Sequence, residues 1–496
     1  MTARDRIVPV ACGLLALGCA VGLMRVLSSL GLQIPLDPNE GWNAYHAQSA
    51  MTGGRLYPGP DSFLFNNYPP LSFYLVGGFG KLAGDNIIAG RIVSLLALAI
   101  VGAGVFTSLR QMKVGAWNAI FAVLAFIAGL LVFTDYVGMN DPQLLGQAVD
   151  IVGLVILMRE PKTASTVCAA ALLMALACFI KHNLVALPLA AAIWLAVFDR
   201  RNAIRFAACG ATAALLGLVI FRVVFGVELL AQLASPRLYS LATLEENVLP
   251  FLIWCGLPLM VAAVLFGLQR SDRYVVFCVL YALIAVIVGT GFSGGAGVDL
   301  NVWFDAAIAL SLAAGLALHR LVKWTPALVL AFVLPLLAGM ILAYDSEWLE
   351  QDFWLHPFAE EAQSAHRDIA FLSAQNGPVA CEMQSLCYWA GKKTEIDVFN
   401  LGQAYATRAR SDNDLIRLIE HRHYAALEFD SLTAFALGPN VRKALASSYR
   451  IDHQDENGVF LVPRQTASAL TVPARSSLPQ PTEGPRRAAK IERSTT

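Results

Sequence analysis

The stretch that decides the fold is "IIAGRIVSLLALAIVGAGVFTSL", residues 87–109. It contains a single charged residue, Arg91, in a run of Leu, Val, Ala, Ile and Gly. A helix of this length crosses about 30 Å of hydrocarbon. In lipid, every backbone N–H and C=O group must be satisfied within the spanning segment, which favours a helix. The stretch therefore predicts a transmembrane helix.

The whole chain has the composition of a membrane protein, because 57% of its 496 residues are hydrophobic and only 15% are charged. Soluble proteins carry about 25% charged residues. The net charge is zero, and nothing in the pattern indicates nucleic-acid binding. We predict an all-α polytopic membrane protein with a small α/β extracytoplasmic C-terminal domain. Its transmembrane helices, about eleven, are expected at 7–30, 87–109, 114–134, 142–158, 163–180, 184–198, 206–225, 248–268, 274–289, 302–318 and 324–343.

The orientation follows from the positive charges of the connections. If the N-terminus is cytoplasmic, each cytoplasmic connection carries at least two Lys or Arg: "RDR", "RQMK", "REPK", "DRRNAIR", "QRSDR" and "HRLVK". This is the distribution that the positive-inside rule requires. The first apolar run is long for a signal peptide and precedes no convincing cleavage site, so we expect it to be retained.

Three regions are expected along the chain. Residues 1–343 form the membrane domain, whose long outer loop, 31–86, contains amphipathic segments that suggest interfacial helices. Residues 344–464 form a small α/β cap, with strands at "PVACEMQ" and "YAALEFD", a helix at "SDNDLIRLIEHR" and a hairpin that turns at Asn457-Gly458. Residues 465–496 are expected to be disordered. Cys381 and Cys387 lie in the exported cap and are candidates for a disulfide, and the other seven cysteines resemble small apolar residues.

Carboxylates are scarce on the outer side of the membrane domain, and they occur in its first two outer loops. The first loop contains "LDPNEGWNAYHA", residues 36–47, with Asp37 and Glu40. The second is "TDYVGMNDPQ", with Asp135 and Asp141. Asp37 and Asp141 each precede a proline and are equally consistent with helix caps. If the two loops converge, Glu40 or Asp37 faces Asp141, and a partly desolvated carboxylate there could act as a general base.

Several cations lie at the outer ends of the predicted spans. Charge inside hydrocarbon is costly and often functional, although snorkelling to lipid head groups explains the same positions. Gathered round one cavity, such cations would bind a phosphate or diphosphate. The candidates are Arg25, Arg91, Lys181, His182 and Arg222, together with Arg55 and Lys81 in the first loop. The Gly-rich outer loop 289–307 lacks the nucleotide-binding pattern, so we do not interpret it as a nucleotide site.

The order of these features resembles the GT-C superfamily of polyprenyl-phosphate-dependent glycosyltransferases. The chain has one span, an acidic outer loop, "YPPLSFYLVG", and then "AGRIVSLLA" at the start of the second span. The resemblance is to bacterial relatives of protein O-mannosyltransferases and of the lipid A aminoarabinose and galacturonic acid transferases. It covers roughly residues 1–343 and is strongest over 36–110.

The resemblance implies an enzyme of the bacterial inner membrane that acts in cell-envelope, lipopolysaccharide or surface-glycan biosynthesis. It would transfer a sugar from a polyprenyl-phosphate donor to a lipid, glycan or protein hydroxyl on the periplasmic face. Asn39-Glu40 aligns with an acidic pair of the family, so Glu40 is the favoured base and Asp37 the alternative, with Asp141 as the second-loop acid. The resemblance fixes no cofactor: some relatives use a divalent metal ion between the two loop acids and others do not, and Glu40 with Asp141 could hold one here.

The resemblance also indicates where the donor phosphate binds. The family often has Lys before Pro-Pro, and this chain has Tyr68 there. Phosphate binding therefore falls to Arg91, Lys181 and His182. Two other classes of protein stay open: a lipid or solute transporter or flippase, and a non-catalytic membrane scaffold. The first is less favoured, because transporters tend to place charges near the bilayer midplane in repeated halves.

Overall fold

The computed structural model describes residues 3–344, 354 and 357–464. It consists of a large helical bundle followed by a small mixed domain with a four-stranded sheet. This confirms the predicted fold class. The tail expected to be disordered, 465–496, lies outside the described residues, as does most of the segment in which the predicted domain boundary falls.

Fourteen α-helices make up the bundle and its loops in the described part of the chain. In order, they are α1 (Ala3–Ser29), α2 (Pro38–Thr52), α3 (Leu71–Ala83), α4 (Asn86–Gln111), α5 (Ala116–Phe133), α6 (Pro142–Leu157), α7 (Ala164–Cys178), α8 (Ala186–Phe198), α9 (Arg200–Phe225), α10 (Glu228–Leu233), α11 (Leu241–Gln269), α12 (Arg273–Ser293), α13 (Phe304–Arg320) and α14 (Thr325–Tyr344).

Every predicted span coincides with one of these helices. Eight helices of the described chain are long and apolar enough to cross a membrane, and four more are shorter apolar helices. The predicted spans at 142–158, 163–180 and 184–198 fall on three of the shorter ones, α6, α7 and α8. The number of eleven transmembrane helices is therefore not confirmed, whereas the polytopic architecture is.

Helix α13 lies at the centre of the bundle, and nearly all of its residues are buried. A helix that is apolar on all sides can bury every face, and the run "AAIALSLAAGLAL" has this character. Its small residues allow α4, α5, α11 and α12 to pack closely round it. At its start, Trp303 stacks on Phe251 with ring centroids 4.1 Å apart.

The first loop was expected to lie on the membrane surface, but the structure buries much of it. Asp37 caps α2 by accepting a hydrogen bond from Asn39 N, and α2 ends at Gly53 in the left-handed conformation. All eight residues from Glu40 to Ala47 are buried, because α2 packs against α3 and α4 of the bundle on one side and against the C-terminal domain on the other. Helix α2 is therefore a layer between the bundle and the cap.

The C-terminal domain contains a sheet of strand order β1-β2-β4-β3. Its strands are β1 (Val379–Cys381), β2 (Ala426–Phe429), β3 (Tyr449–Asp455) and β4 (Gly458–Pro463). The first pair is parallel and the other two pairs are antiparallel. Its helices are α15 (Ala359–Ala374), α16 (Gln384–Trp389), α17 (Val398–Ala406), α18 (Asn413–Glu420) and α19 (Pro439–Ser448). The predicted strands, the helix at α18 and the hairpin turn are all confirmed.

Two disulfides are present among the described residues. Cys381 pairs with Cys387 across the start of α16, which agrees with the disulfide suggested for a cap that is expected to be exported. Cys168 of α7 pairs with Cys209 of α9, with Cα atoms 5.5 Å apart. The interpretation of Cys168 and Cys209 as small apolar residues was therefore wrong. Spacing along the chain gave no sign that these two helices are neighbours.

The C-terminal domain docks directly on α2. Gly41 has no side chain at the contact, and a Cβ atom there would overlap the backbone of Ser385. The indole of Trp42 donates a hydrogen bond of 2.9 Å to the Asp397 carboxylate. These contacts fix the cap above the acidic start of α2.

Candidate active site where the first two loops meet

An ion pair lies at the start of α2. Arg91 of α4 donates from Nε to Glu40 Oε1 at 2.8 Å and from Nη2 to Oε2 at 2.6 Å. Both side chains are fully buried. Such a two-point contact is the strong form of the arginine–carboxylate interaction.

Arg91 has no donor left for another ligand. Besides its two bonds to Glu40, it donates to the carbonyls of Ser29, Leu32 and Ile34 at 2.8–3.0 Å. A guanidinium has five N–H groups, and all five are used. The structure therefore argues against Arg91 as a phosphate ligand and assigns it to holding the chain between α1 and α2.

The second loop meets the first at Glu40. The backbone N–H of Asn140 donates to Glu40 Oε1 at 3.0 Å, and its side chain donates to the Glu40 carbonyl at 3.1 Å. Asn43 of α2 donates in turn to the Asn140 carbonyl. Gly90 of α4 makes room, because a Cβ atom there would overlap the Asn140 side chain. The two acidic loops thus converge, as the catalytic hypothesis requires.

Asp37 has a different environment from Glu40. Its Oδ1 accepts from Asn39 N and Asn39 Nδ2, both at 2.8 Å, whereas Oδ2 accepts no hydrogen bond from the described residues. The side chain is partly exposed. Burial, with the nearby charges of Glu40 and Asp141, raises the pKa of Asp37 to about 6, although the bonds from Asn39 act in the opposite sense.

Asp141 lies close enough to influence Asp37, and it pairs with a lysine. It caps α6 by accepting from Gln143 N at 2.7 Å. Lys181 Nζ lies 3.2 Å from Asp141 Oδ2 and 3.8 Å from the ring centroid of Tyr68. Lys181 is only 4% exposed. An ammonium with one carboxylate and one aromatic face as partners keeps donor capacity for an anionic ligand.

The other predicted cations are less favourably placed. His182 follows Lys181 with its side chain exposed, edge-on to Phe292. Arg55 and Lys81 are also exposed. Neither Arg55 nor Lys81 forms an ion pair with an acid of the described chain, so the structure does not bring these two residues to Asp141.

Sequence reasoning missed Arg237, which lies between α10 and α11. It donates to the Ala296 carbonyl at 3.2 Å and more weakly to Asn400 Oδ1 of the cap. Its guanidinium lies 5.5 Å from the ring centroid of Phe399, and its charge acts on His182. The available signal was that Arg237 is the only cation of its outer loop, 226–247.

A divalent metal between Glu40 and Asp141 does not fit this geometry. The Glu40 carboxylate already accepts from Arg91 and Asn140, and Asp141 already pairs with Lys181. Two cationic partners neutralise these acids and would repel a metal ion. The positive charge of the site is supplied by the protein.

Comparison with known proteins agrees with the resemblance seen in the sequence. Residues 67–225 match the family described as dolichyl-phosphate-mannose-protein mannosyltransferase. No curated protein matches the sequence.

Solved structures of the same architecture extend over most of the chain. ArnT from Cupriavidus metallidurans bound to undecaprenyl phosphate has a TM-score of 0.62 at 16% identity, over 92% of this chain and 98% of that one. The Archaeoglobus fulgidus oligosaccharyltransferase in the apo form has a TM-score of 0.53 at 11% identity, over 92% and 75%. The archaeal AglB in complex with an inhibitory peptide and a dolichol-phosphate has a TM-score of 0.51 at 11% identity, over 92% and 74%.

The fold therefore defines the class as a polytopic membrane protein of GT-C architecture. Within that class, residues 67–225 are similar to the protein mannosyltransferase family. The predicted resemblance to the GT-C superfamily is confirmed.

Proposed function

We propose that the protein is a membrane glycosyltransferase that moves a sugar from a polyprenyl-phosphate donor to a hydroxyl of a lipid, glycan or protein. The observation that carries this proposal is the convergence of the two acidic loops, where Asn140 binds Glu40 and the charge of Asp141 acts on Asp37. Relatives of this fold support the donor class, since ArnT was solved with undecaprenyl phosphate and AglB with a dolichol-phosphate and a peptide. We place the reaction on the periplasmic face of a bacterial inner membrane.

Asp37, rather than Glu40, is the base in this proposal. A general base needs a free oxygen, contact with the reacting proton and a pKa near the working pH. Oδ2 of Asp37 accepts no hydrogen bond from the described residues, and burial raises the pKa of Asp37 to about 6. Glu40 is enclosed by Arg91 and Asn140 and is fully buried.

Lys181 is the main phosphate ligand in this proposal. The acceptor oxygen attacks the anomeric carbon and gives its proton to Asp37, and the bond from that carbon to the phosphate oxygen breaks. The phosphate leaves with an additional negative charge, which a buried ammonium stabilises. His182 and Arg237 lie at the rim and would contact the more exposed phosphate oxygens. Asp141 keeps Lys181 in position and charged.

Mass spectrometry of glycolipids and surface glycans tests the proposal in a strain lacking the gene. The strain is complemented with wild type, Asp37→Asn, Lys181→Met or the control Asp61→Asn, which changes an exposed acid of the same loop. We expect a sugar to disappear in the deletion strain and to return only with wild type and the control. A glycan profile unchanged by deletion, or one fully restored by Asp37→Asn, would contradict the proposal. A change confined to uptake of a solute would favour the transporter alternative.

A further inference from the structure

The C-terminal domain brings together a second group of polar side chains, away from Asp37 and Asp141. Asp368 comes from α15, and His453 and Asp455 come from β3. Each offers one metal-ligating atom, and these atoms all lie within 4.8 Å of one another. Asp368 is buried, whereas His453 and Asp455 are partly exposed and leave an entry path.

The imidazole of His453 is oriented as metal-bound imidazoles are. Its Nδ1 lies 3.2 Å from the Asp452 carboxylate, which leaves Nε2 directed at Asp368. A carboxylate on the far nitrogen is the usual support of a metal-binding histidine. The ring is fixed by stacking on Phe460 at 4.3 Å and by an edge contact with Phe371 at 4.9 Å.

The distance between the two facing atoms is compatible with a shared ion as well as with a direct hydrogen bond. His453 Nε2 lies 3.3 Å from Asp368 Oδ1, whereas a charge-assisted hydrogen bond is about 2.7–2.9 Å long. Two ligands about 2.1 Å from one metal ion stand about 3.0–3.4 Å apart. The observed separation falls in the second range and also suits a longer hydrogen bond.

A further observation comes from Glu428 of β2, which faces Phe460 of β4, whereas His453 of β3 faces the same Phe460 from the other side. Glu428 is fully buried, and its Oε1 has no hydrogen-bond partner. Gly458 leaves space for that oxygen, since a Cβ atom there would lie 2.7 Å from it. The charges of Asp430, Glu382 and Asp368, in decreasing order, act on Glu428. Within the described ranges, no Lys or Arg forms an ion pair with Asp368, Asp455 or Glu428, and Asp368 faces His453 instead.

We propose that Asp368, His453 and Asp455 bind a divalent first-row transition metal ion, Zn²⁺ or Mn²⁺, with Glu428 as an outer acid. One imidazole among carboxylates selects such an ion, because Ca²⁺ and Mg²⁺ prefer oxygen ligands alone. The ion ties α15, the first complete helix described after the last helix of the bundle, to the hairpin β3–β4. It therefore stabilises the cap against the membrane domain.

The competing interpretation is a metal-free hydrogen-bond network. Asn457 Nδ2 donates to Asp368 at 2.6 Å and to Ser364, and Ser364 donates to Asp455. Such a network would hold the same elements without an ion. The two interpretations differ in whether the protein retains metal and gains stability from it.

The experiment uses the full-length protein in detergent, stripped with a chelator and incubated separately with Zn²⁺, Mn²⁺ or Ca²⁺. Metal content is measured after gel filtration, and thermal unfolding is followed in parallel. We expect a single Zn²⁺ or Mn²⁺ ion per chain and a higher melting temperature with metal. His453→Gln and Asp455→Asn should weaken binding by about 10–100-fold. His423→Gln, which changes an exposed histidine of the same domain paired with Glu395, should leave binding unchanged.

Asp141→Asn provides a second control. This variant should retain a metal bound in the cap, whereas a metal held at the acids of the membrane domain would be lost from it and retained by His453→Gln. Asp455→Asn keeps a side-chain oxygen for the hydrogen bond from Asn457 N, so its folding is expected to survive. Metal-free wild-type protein, binding of Ca²⁺ alone, or equal binding by His453→Gln would overturn the assignment. A parallel sample is loaded with Co²⁺, whose absorption spectrum reports its ligands. A spectrum that is unchanged by His453→Gln would also overturn the assignment.

Discussion

Glu40 and Asp37 are three residues apart and lie in different environments, so replacing each carboxylate by its amide should affect a different property of the protein. Glu40→Gln should damage folding, and Asp37→Asn should damage catalysis. In both variants a charge is removed while the shape of the side chain is kept. The comparison therefore tests the assignment of the base directly.

The cost of Glu40→Gln follows from the burial of its partner. Arg91 and Glu40 are both fully buried and joined by two hydrogen bonds. Removing one member of a buried ion pair costs about 3–5 kcal/mol, because the remaining charge has no compensation. The ratio of folded to unfolded protein should fall more than about a hundredfold. Adding Arg91→Met should recover only part of this loss, since the carbonyls of Ser29, Leu32 and Ile34 then lose their donor.

The cost of Asp37→Asn should appear in the reaction rate instead. Asp37 is the N-cap of α2, and Asn is about as good an N-cap as Asp, so stability should change by less than about 0.5 kcal/mol. A general base contributes about 10²–10⁴-fold to the rate. The variant should therefore be abundant, folded and slow.

Unfolding in mixed micelles at increasing SDS gives the stability of both variants, and transfer to the acceptor glycan gives their activity per folded molecule. Asp61→Asn serves as the control for loss of an exposed acid in the same loop. If Glu40→Gln folds as well as wild type but transfers no sugar, while Asp37→Asn remains active, Glu40 is the base and the reasoning is refuted.

Three further outcomes are expected. Because the pKa of Asp37 is raised to about 6 by burial, kcat/KM should fall tenfold per pH unit below that value and level off above it; a profile flat down to pH 4 would exclude Asp37. Lys181→Met should lower kcat by about 10²–10³-fold, with partial recovery in Lys181→Arg, measured as donor turnover. Gly41→Ala should separate the cap from α2, because the added methyl group collides with Ser385, and it should raise the protease sensitivity of the cap. The control Gly13→Ala, where the added methyl group meets no neighbour, should leave that sensitivity unchanged.

The sequence predicts the bundle well because hydrophobic runs are a local signal. Each span, including the central α13, can be located from the residues of that span alone. The same holds for the hairpin at Asn457-Gly458, where alternating residues flank a turn pair. Its two strands pair in the structure from Tyr449 to Pro463.

The roles of the charged residues are not local, and there the sequence is insufficient. Arg91 looked like a phosphate ligand because it is a cation near the outer end of a span. Its five acceptors come from α2, from the last residue of α1 and from the chain that joins the two helices, and no property of positions 87–109 indicates them. The choice of Asp37 or Glu40 as the base likewise depends on which of the two carboxylates forms the ion pair with Arg91.

Helix α2 is held on two sides, and this determines where Asp37 lies. On the side of the bundle, Arg91 and Asn140 bind Glu40, one turn from Asp37. On the side of the cap, Ser385 packs against Gly41. Asp37 is the N-cap of α2 and moves whenever this helix tilts. Both contacts therefore help to set the distance of Asp37 from Lys181 and Asp141. In the proposed mechanism the cap therefore helps to position Asp37, and a metal site that stabilises the cap would act on the reaction through α2 without touching the substrate.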